Sequence, residues 1–155
     1  MDFPPDIISS PVVNEEWNAF WEDISPLIKD MPVRDTLVIS LPLEASDPGM
    51  PQLRKMLQAC NLAENDYNLL QVTEDQKIAW YQLREQLRPR QVITLGIGPQ
   101  QLGLSVFFMP HQVNRFNDVS WLPTLDIPRL EQNPDIKKHY WSYGLKPVFI
   151  EKAYS

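Results

Sequence analysis

The chain contains very little of what makes disulfides, metal clusters and membrane spans. Cys60 is its only cysteine, which excludes an intrachain disulfide and a cysteine cluster for zinc or an iron–sulfur centre. No apolar run approaches the roughly 20 residues that cross a bilayer, and the start of the chain lacks the basic and apolar regions of a secretion signal. We therefore predict a cytoplasmic protein with no membrane contact, no metal and no cofactor.

Basic residues are also scarce. The 14 lysines and arginines are outnumbered by 20 acids, so the formal net charge is −6. The densest basic stretch, Lys137-Lys138-His139, is balanced by Glu131 and Asp135. Proteins that hold duplex phosphates tightly usually present a basic face. The composition therefore predicts no tight autonomous binding of nucleic acid, so any action on DNA should need a protein partner.

Glycine is rare and proline is common. The chain has five glycines and 15 prolines, about twice the usual frequency of proline. We therefore expect stiff loops, and we expect each glycine to mark a positive φ or a close approach of the backbone. Hydrophobic residues make up 43% of the chain, which is enough for a packed core.

Short apolar runs recur along the chain with helical segments between them. The runs at 35–43, 67–72 and 91–95 are continuous, as buried parallel strands usually are. The stretches 104–108 and 119–122 are expected to supply a fourth strand and a hairpin partner. This alternation predicts an α/β protein with three α/β/α layers and a mostly parallel, four-stranded sheet.

Three helices are predicted after the first strand. Apolar residues lie on one helical face over 51–61, and Thr73 with Gln76 forms a capping box for a helix over 73–87. The last helix, 135–143, is expected to end at the glycine that follows it. No internal repeat or domain boundary is visible, so we expect one domain over residues 14–155.

Two structural interpretations are possible for the first part of the chain. Residues 1–13 are proline-rich and are predicted to form an extended arm, while Asn14 is expected to cap an acidic amphipathic helix that kinks or restarts at Pro26. That helix either packs on the core or is a docking surface for a partner. In the second reading the partner-binding residues are Phe3, Trp17, Phe20 and Trp21.

Possible chemistry is concentrated where the parallel strands end, because ligands of open α/β sheets collect at that edge. Acids follow three strands and are expected either to act in acid–base or metal chemistry or to cap helices: Glu44 or Asp47, Glu74 or Asp75, and Asp126. Gly96-Ile97-Gly98 resembles a phosphate cradle only weakly, and a tight turn explains both glycines. The expected crevice residues are Ser40, Leu41, Gly96, Gly98, Thr124 and Asp126.

Other reactive side chains give weaker signals. His111 and His139 are 28 positions apart and lack ligand-like neighbours, which argues against a zinc site. Cys60 is on the apolar face of a predicted helix, which argues against a nucleophile.

Three segments of the chain match the motifs of a known superfamily in order and spacing. They are the stretch from Leu37 to Leu62, RPRQVITLGIGPQQLGL (88–104), and TLDIPRLEQNPDIK (124–137) followed by Trp141. The motifs are those of uracil-DNA glycosylases. The chain therefore resembles the uracil-DNA glycosylase superfamily, which implies a glycosylase-like fold.

Departures from the family pattern imply that catalysis has been lost. Asp126 stands where the family has the histidine that stabilises the departing uracil anion, and a carboxylate would repel that charge. Residues 40–44 replace the loop that positions the attacking water, with Leu41 where some branches have an acid. If the chain is nevertheless a repair glycosylase, Asp126 and Glu44 are the residues expected to carry acid–base work.

A second likeness is to a non-enzymatic group with this scaffold. The matching positions are Asp47-Pro48, residues 70–73, Lys77-Ile78, Asn133-Pro134 and Trp141. Their pattern resembles that of psi subunits of bacterial DNA polymerase III holoenzymes. This resemblance implies a non-catalytic adaptor that contacts clamp-loader or other replisome subunits through an N-terminal arm. Two other hypotheses remain, namely a repair glycosylase with unusual catalytic residues and an α/β domain for another small ligand.

Overall fold

Five strands form one sheet, with helices packed against both of its faces. The computed structural model describes residues 25–43 and 49–153. The helices are α1 (Ser25–Ile28), α2 (Gly49–Ala59), α3 (Trp80–Leu87), α4 (Ile127–Glu131) and α5 (Pro134–Tyr140), and the strands are β1 (Thr36–Ser40), β2 (Tyr67–Gln71), β3 (Gln91–Leu95), β4 (Asn114–Phe116) and β5 (Val119–Thr124). Two 3₁₀ turns (Glu64–Asp66 and Pro99–Leu102) and a π-helical segment (Trp141–Ile150) complete the described secondary structure.

The sheet is mostly parallel, as the continuous apolar runs predict. Its order is β2-β1-β3-β5-β4, and only the β4–β5 pair is antiparallel. The register aligns the amino ends of the parallel strands, with Thr36 opposite both Tyr67 and Gln91 and with Gln91 also opposite Ser120. The carboxyl ends of all four parallel strands therefore lie at one edge of the sheet.

The strand count differs from the predicted four. The hairpin partner of β5 is β4, whereas residues 104–108, where a strand was expected, form none. Asn117 and Asp118 connect β4 to β5 and both have positive φ, 54° and 60°. Type I′ hairpin turns require that combination, and Asn and Asp tolerate it better than most residues.

Side chains that alternate along the strands divide the core into two hydrophobic clusters. Leu37 and Trp121 belong to one cluster, and their chain neighbours Val38 and Leu122 belong to the other. The first cluster includes buried residues of α1 and α3, whereas the second includes those of α2, α4, α5 and the π-helical segment. This arrangement is compatible with three α/β/α layers.

The capping box at Thr73 and Gln76 does not begin a helix, so that prediction is wrong. The Gln76 side chain accepts a hydrogen bond from Thr73 N at 2.8 Å, but α3 begins only at Trp80. Ile78 is fully buried, and its amide donates to Gln101 O at 2.9 Å. The tertiary bond and the burial of Ile78 keep this stretch out of a helix, because a helix would use that amide internally.

The predicted end of the last helix at Gly144 is also wrong. Helical structure continues from α5 through the π-helical segment to Ile150, and Val148 is buried within it. A Cβ at Gly144 would lie 3.1 Å from Tyr140 Cδ1, so this glycine permits close packing instead of capping the helix. Pro147 lacks an amide hydrogen, which is consistent with the wider hydrogen bonding of this segment.

A pair of buried tryptophans gives a direct test of hydrogen-bond energetics in the core. The rings of Trp80 and Trp121 meet edge-on, with centroids 4.6 Å apart. Trp121 Nε1 donates to Phe116 O at 3.2 Å, whereas Trp80 Nε1 is buried without a partner among the described residues. An unpaired buried donor costs about 1–3 kcal/mol, and a made bond contributes about 1 kcal/mol.

We therefore expect Trp121→Phe to lower the free energy of unfolding by about 2 kcal/mol more than Trp80→Phe does. Both changes remove a similar volume from the same cluster, so the comparison isolates the indole N–H. Guanidinium denaturation followed by circular dichroism measures both values. Equal losses in the two variants would contradict the unpaired donor at Trp80.

Candidate functional site

The expected crevice residues lie at the carboxyl edge of the parallel strands. The backbone ladder continues one residue beyond two strands, because Leu41 N donates to Leu95 O at 3.3 Å and Gly96 N donates to Thr124 O at 3.0 Å. These bonds hold the ends of β1, β3 and β5 side by side. The sequence prediction that these strand ends converge is therefore confirmed for Leu41, Gly96 and Thr124.

The ends of the two neighbouring strands lie close to Gly96, which is itself exposed. A Cβ at this position would lie 3.0 Å from Leu41 Cδ1 and 3.1 Å from Asp126 Cβ. Gly96 also has φ of +80°, which side-chain-bearing residues rarely adopt. The Leu41 side chain therefore packs directly on the Gly96 backbone, with Asp126 against the same glycine.

Asp126 occupies the position before α4 but does not cap that helix with its side chain. Its Oδ1 atom instead lies 3.5 Å from Nε of Arg129, in an ion pair one helical turn away. The Asp126 side chain is 16% exposed and that of Arg129 is 71% exposed, so the pair is open to solvent on the arginine side. Such pairs contribute little to stability, but this one places a cation beside the carboxylate.

The hydroxyls of Ser40 and Thr124 both make hydrogen bonds. Ser40 is fully buried, and its hydroxyl donates to Leu41 O at 2.8 Å. Thr124 is also buried, and its Oγ1 lies 2.8 Å from Nδ1 of His111. An activated nucleophile requires both a base and a group that orients the base. Thr124 has an imidazole beside its hydroxyl, but among the described residues no group is hydrogen-bonded to the other ring nitrogen of His111.

Gly98 differs from Gly96 in its backbone conformation and in its surroundings, although both glycines are exposed. Its φ is −90°, it is exposed, and an added Cβ would approach only the end of the Gln100 side chain, at 3.4 Å. A tight turn into Pro99–Leu102 therefore accounts for the glycine pair. The structure gives no feature of a phosphate cradle at Gly98.

His111 contacts the end of β5, a placement that sequence reasoning missed. It has φ of +64°, its amide donates to Pro123 O at 2.7 Å, and its ring is bonded to Thr124. Burial and the nearby His139 lower the pKa of His111, which favours the neutral imidazole. No sequence spacing links His111 to Thr124, because the contact depends on the turn that precedes β4.

The other reactive groups do not form a site. Cys60 is buried, and burial raises the pKa of its thiol to about 12, so the reactive thiolate is absent at neutral pH. Glu74 and Asp75 are exposed and lie before α3, not in its first turn. Within residues 25–43 and 49–153, no group of three or more His, Cys, Asp or Glu side chains could hold a metal ion.

Several predicted residues lie outside the described part of the chain. These are the possible acid–base residue Glu44, the neighbouring Asp47, and the partner-binding residues Phe3, Trp17, Phe20 and Trp21. The reading of residues 14–24 as a core helix or a docking surface therefore stays a prediction. Over the described ranges, no helix combines the length and the apolar character needed to cross a membrane.

Comparison with models of protein families, with curated proteins and with solved structures finds no match to this chain.

Proposed function

We propose that this chain is a non-catalytic, psi-like adaptor of the cytoplasmic DNA replication machinery that associates with the clamp loader through protein–protein contact. The observation that carries the proposal is the packing of Leu41 and Asp126 on Gly96. In the glycosylase resemblance, these positions belong to the pocket in which water attacks and the base departs. An apolar side chain at Leu41 leaves a glycosyl-transfer centre without its water-positioning group.

The electrostatics of the crevice support the same proposal. Asp126 stands where the resemblance places a histidine, and its carboxylate is paired with Arg129. Catalysis of base release needs donors aimed at developing negative charge. A carboxylate at that position opposes the reaction, so the scaffold is suited to contact with another protein.

The sheet is compatible with the uracil-DNA glycosylase-like scaffold that this proposal assumes, although such a sheet is not specific to that fold. The four parallel strands follow the order β2-β1-β3-β5, with hydrophobic clusters on both faces. The short antiparallel β4 is an addition at one edge. The net charge of −6 favours a protein partner over autonomous binding to DNA phosphates.

Removal of residues 1–13 tests the adaptor role. If these residues are the docking arm, the shortened chain should no longer retain clamp-loader subunits in a pull-down at micromolar concentration. Its thermal unfolding temperature should stay close to that of the full chain, because described residues between Ile28 and Phe149 already build both hydrophobic clusters. A full-length chain with residues 1–13 in scrambled order is the matched control for length and charge.

The scrambled control should lose binding as the shortened chain does. Retention of clamp-loader subunits by either variant would refute the role of residues 1–13 as a docking arm. Failure of the unaltered chain to bind them would refute the adaptor function itself.

His111 favours one alternative function. A neutral imidazole bonded to Thr124, at the end of the strand that leads to Asp126, is a possible proton donor for a nucleobase enzyme. This alternative predicts release of free base from uracil-containing or mismatched single- and double-stranded DNA. The release should fall by about 100-fold or more in Asp126→Asn or His111→Ala.

The adaptor proposal predicts no base release above that of a protein-free control. Reproducible release that depends on Asp126 or His111 would overturn it. Asp118→Asn is the matched control for this assay, since Asp118 is exposed in the β4–β5 turn.

A further inference from the structure

An apolar groove lies between α2 and the start of the π-helical segment. It has a volume of about 250 Å³, and Met56, Ala59, Trp141 and Leu145 contribute its apolar lining. A second cavity of about 580 Å³ shares Trp141 and extends along α5 toward Pro134. Trp141 is only partly buried, so its ring forms a wall common to both cavities.

The charged side chains that line this double groove are mainly basic. Lys55 and Lys137 line the first cavity, and Lys137 and Lys138 line the second. The acids are Asp135, which lines the second cavity, and Glu131, whose Oε2 binds Lys137 Nζ at 2.6 Å. With Lys137 paired to Glu131, Lys55 and Lys138 stand against Asp135 alone, so the groove carries a small excess of positive charge in a chain whose net charge is −6.

We infer that this groove binds an acidic amphipathic segment of a partner protein, an inference that rests on the proposed adaptor function. An aliphatic or aromatic side chain of the segment enters the cavity between Met56, Trp141 and Leu145. Its carboxylates pair with Lys55 and Lys138, which are both exposed. The lysines favour a partner segment with negative charge, and the apolar floor favours an apolar side chain as its anchoring residue.

The lining favours a peptide over single-stranded nucleic acid. Strand-binding surfaces combine a basic track with several aromatic rings on which successive bases stack. Here Trp141 is flanked by the aliphatic side chains of Met56 and Leu145, and the basic residues are interrupted by Asp135. Such a lining suits one apolar anchor with carboxylates around it.

A selection from displayed random 12-residue peptides on the full chain tests the inference. The bound peptides should be enriched in Asp and Glu together with Leu, Phe or Trp. Peptides recovered from the unaltered chain should bind Lys55→Glu about tenfold more weakly, because one attraction becomes a repulsion. Lys29→Glu is the matched control: Lys29 is exposed and directly follows α1, whose Ile28 packs in the cluster on the other face of the sheet.

Trp141→Ala gives an independent readout of the apolar anchor and should also weaken binding by about tenfold or more. Lys55→Glu keeps the inference testable if Trp141→Ala does not fold. Enrichment of basic or uncharged peptides, or equal weakening in Lys29→Glu, would overturn it. Displacement of the selected peptides by oligothymidine would assign the groove to nucleic acid and would also overturn it.

The two proposals fail separately. Binding of clamp-loader subunits without selection of acidic peptides would refute the groove and leave the adaptor function standing. Selection of acidic peptides by a chain that does not bind clamp-loader subunits would support the groove and refute that function.

Discussion

Gly96→Ala is expected to lower the free energy of unfolding by about 2–4 kcal/mol. About 1–3 kcal/mol comes from holding a side-chain-bearing residue at a φ of +80°. A further 1 kcal/mol or so comes from overpacking, because the new methyl group would lie 3.0 Å from Leu41 Cδ1 and 3.1 Å from Asp126 Cβ. Urea denaturation of the purified proteins measures the change.

Gly98→Ala is the matched control for this prediction. Gly98 is two residues away, has φ of −90°, and offers an added Cβ only the movable end of Gln100. Alanine there should leave stability unchanged or raise it by up to about 1 kcal/mol, because it restricts the unfolded chain. If the two alanine variants are equally stable, the strand ends do not pack on Gly96 as described.

Alkaline pH is expected to destabilise the protein through Cys60. The thiol has a pKa of about 12 in the folded chain, against an ordinary value of 9.0. Between these values the unfolded chain binds fewer protons than the folded one, so stability falls as pH rises. The contribution of the protonated Cys60 thiol to the free energy of unfolding is fully present below pH 9. Above pH 9 it falls by about 1.4 kcal/mol per pH unit, so the loss at pH 10.5 is about 2 kcal/mol.

Cys60→Ala isolates this effect. Guanidinium denaturation of both proteins at pH 7.5 and pH 10.5 gives two losses of stability, and their difference should be about 2 kcal/mol, with the greater loss in the unaltered chain. Groups that do not interact with Cys60 cancel in this difference. Tyr140 does not cancel fully, because its pKa is raised by burial and also by the charge of Cys60. Equal losses would mean that the thiol is not buried as described.

The strands were the most predictable part of the fold. β3 has the predicted bounds because its apolar run is limited by Arg90 on one side and by Gly96 on the other. β1 and β2 were also predicted; the start of β2 coincides, and the other three ends differ by one to three residues. In an α/β protein a continuous apolar run buries all of its side chains when it forms a strand that is covered on both faces of the sheet.

Helix boundaries were less predictable because local signals competed with tertiary contacts. Thr73 and Gln76 carry a helix-start pattern and make one of its bonds, yet Ile78 is buried and its amide bonds to Gln101. Gly144 carries a helix-stop pattern, yet its lack of a Cβ is used for packing against Tyr140. In both cases contacts from elsewhere in the chain determined the outcome.

The candidate site was predictable as a place but not as an arrangement. Strand order alone brings Leu41, Gly96 and Thr124 to one edge, because parallel strands end together. The partner of Thr124 is His111, thirteen residues earlier, and the pairing depends on a turn with positive φ. Spacing along the chain carries no signal for such a contact.

By itself the sequence determined the α/β class, the mostly parallel strands and the edge at which they end, because these follow from local apolar runs and from chain connectivity. Only the tertiary structure decided that Leu41 and Asp126 pack on Gly96, that His111 binds Thr124, and that Trp141 borders a lysine-lined groove. Those features join side chains from separate elements. Their geometry depends on how the two hydrophobic clusters pack against the sheet, which no single segment encodes.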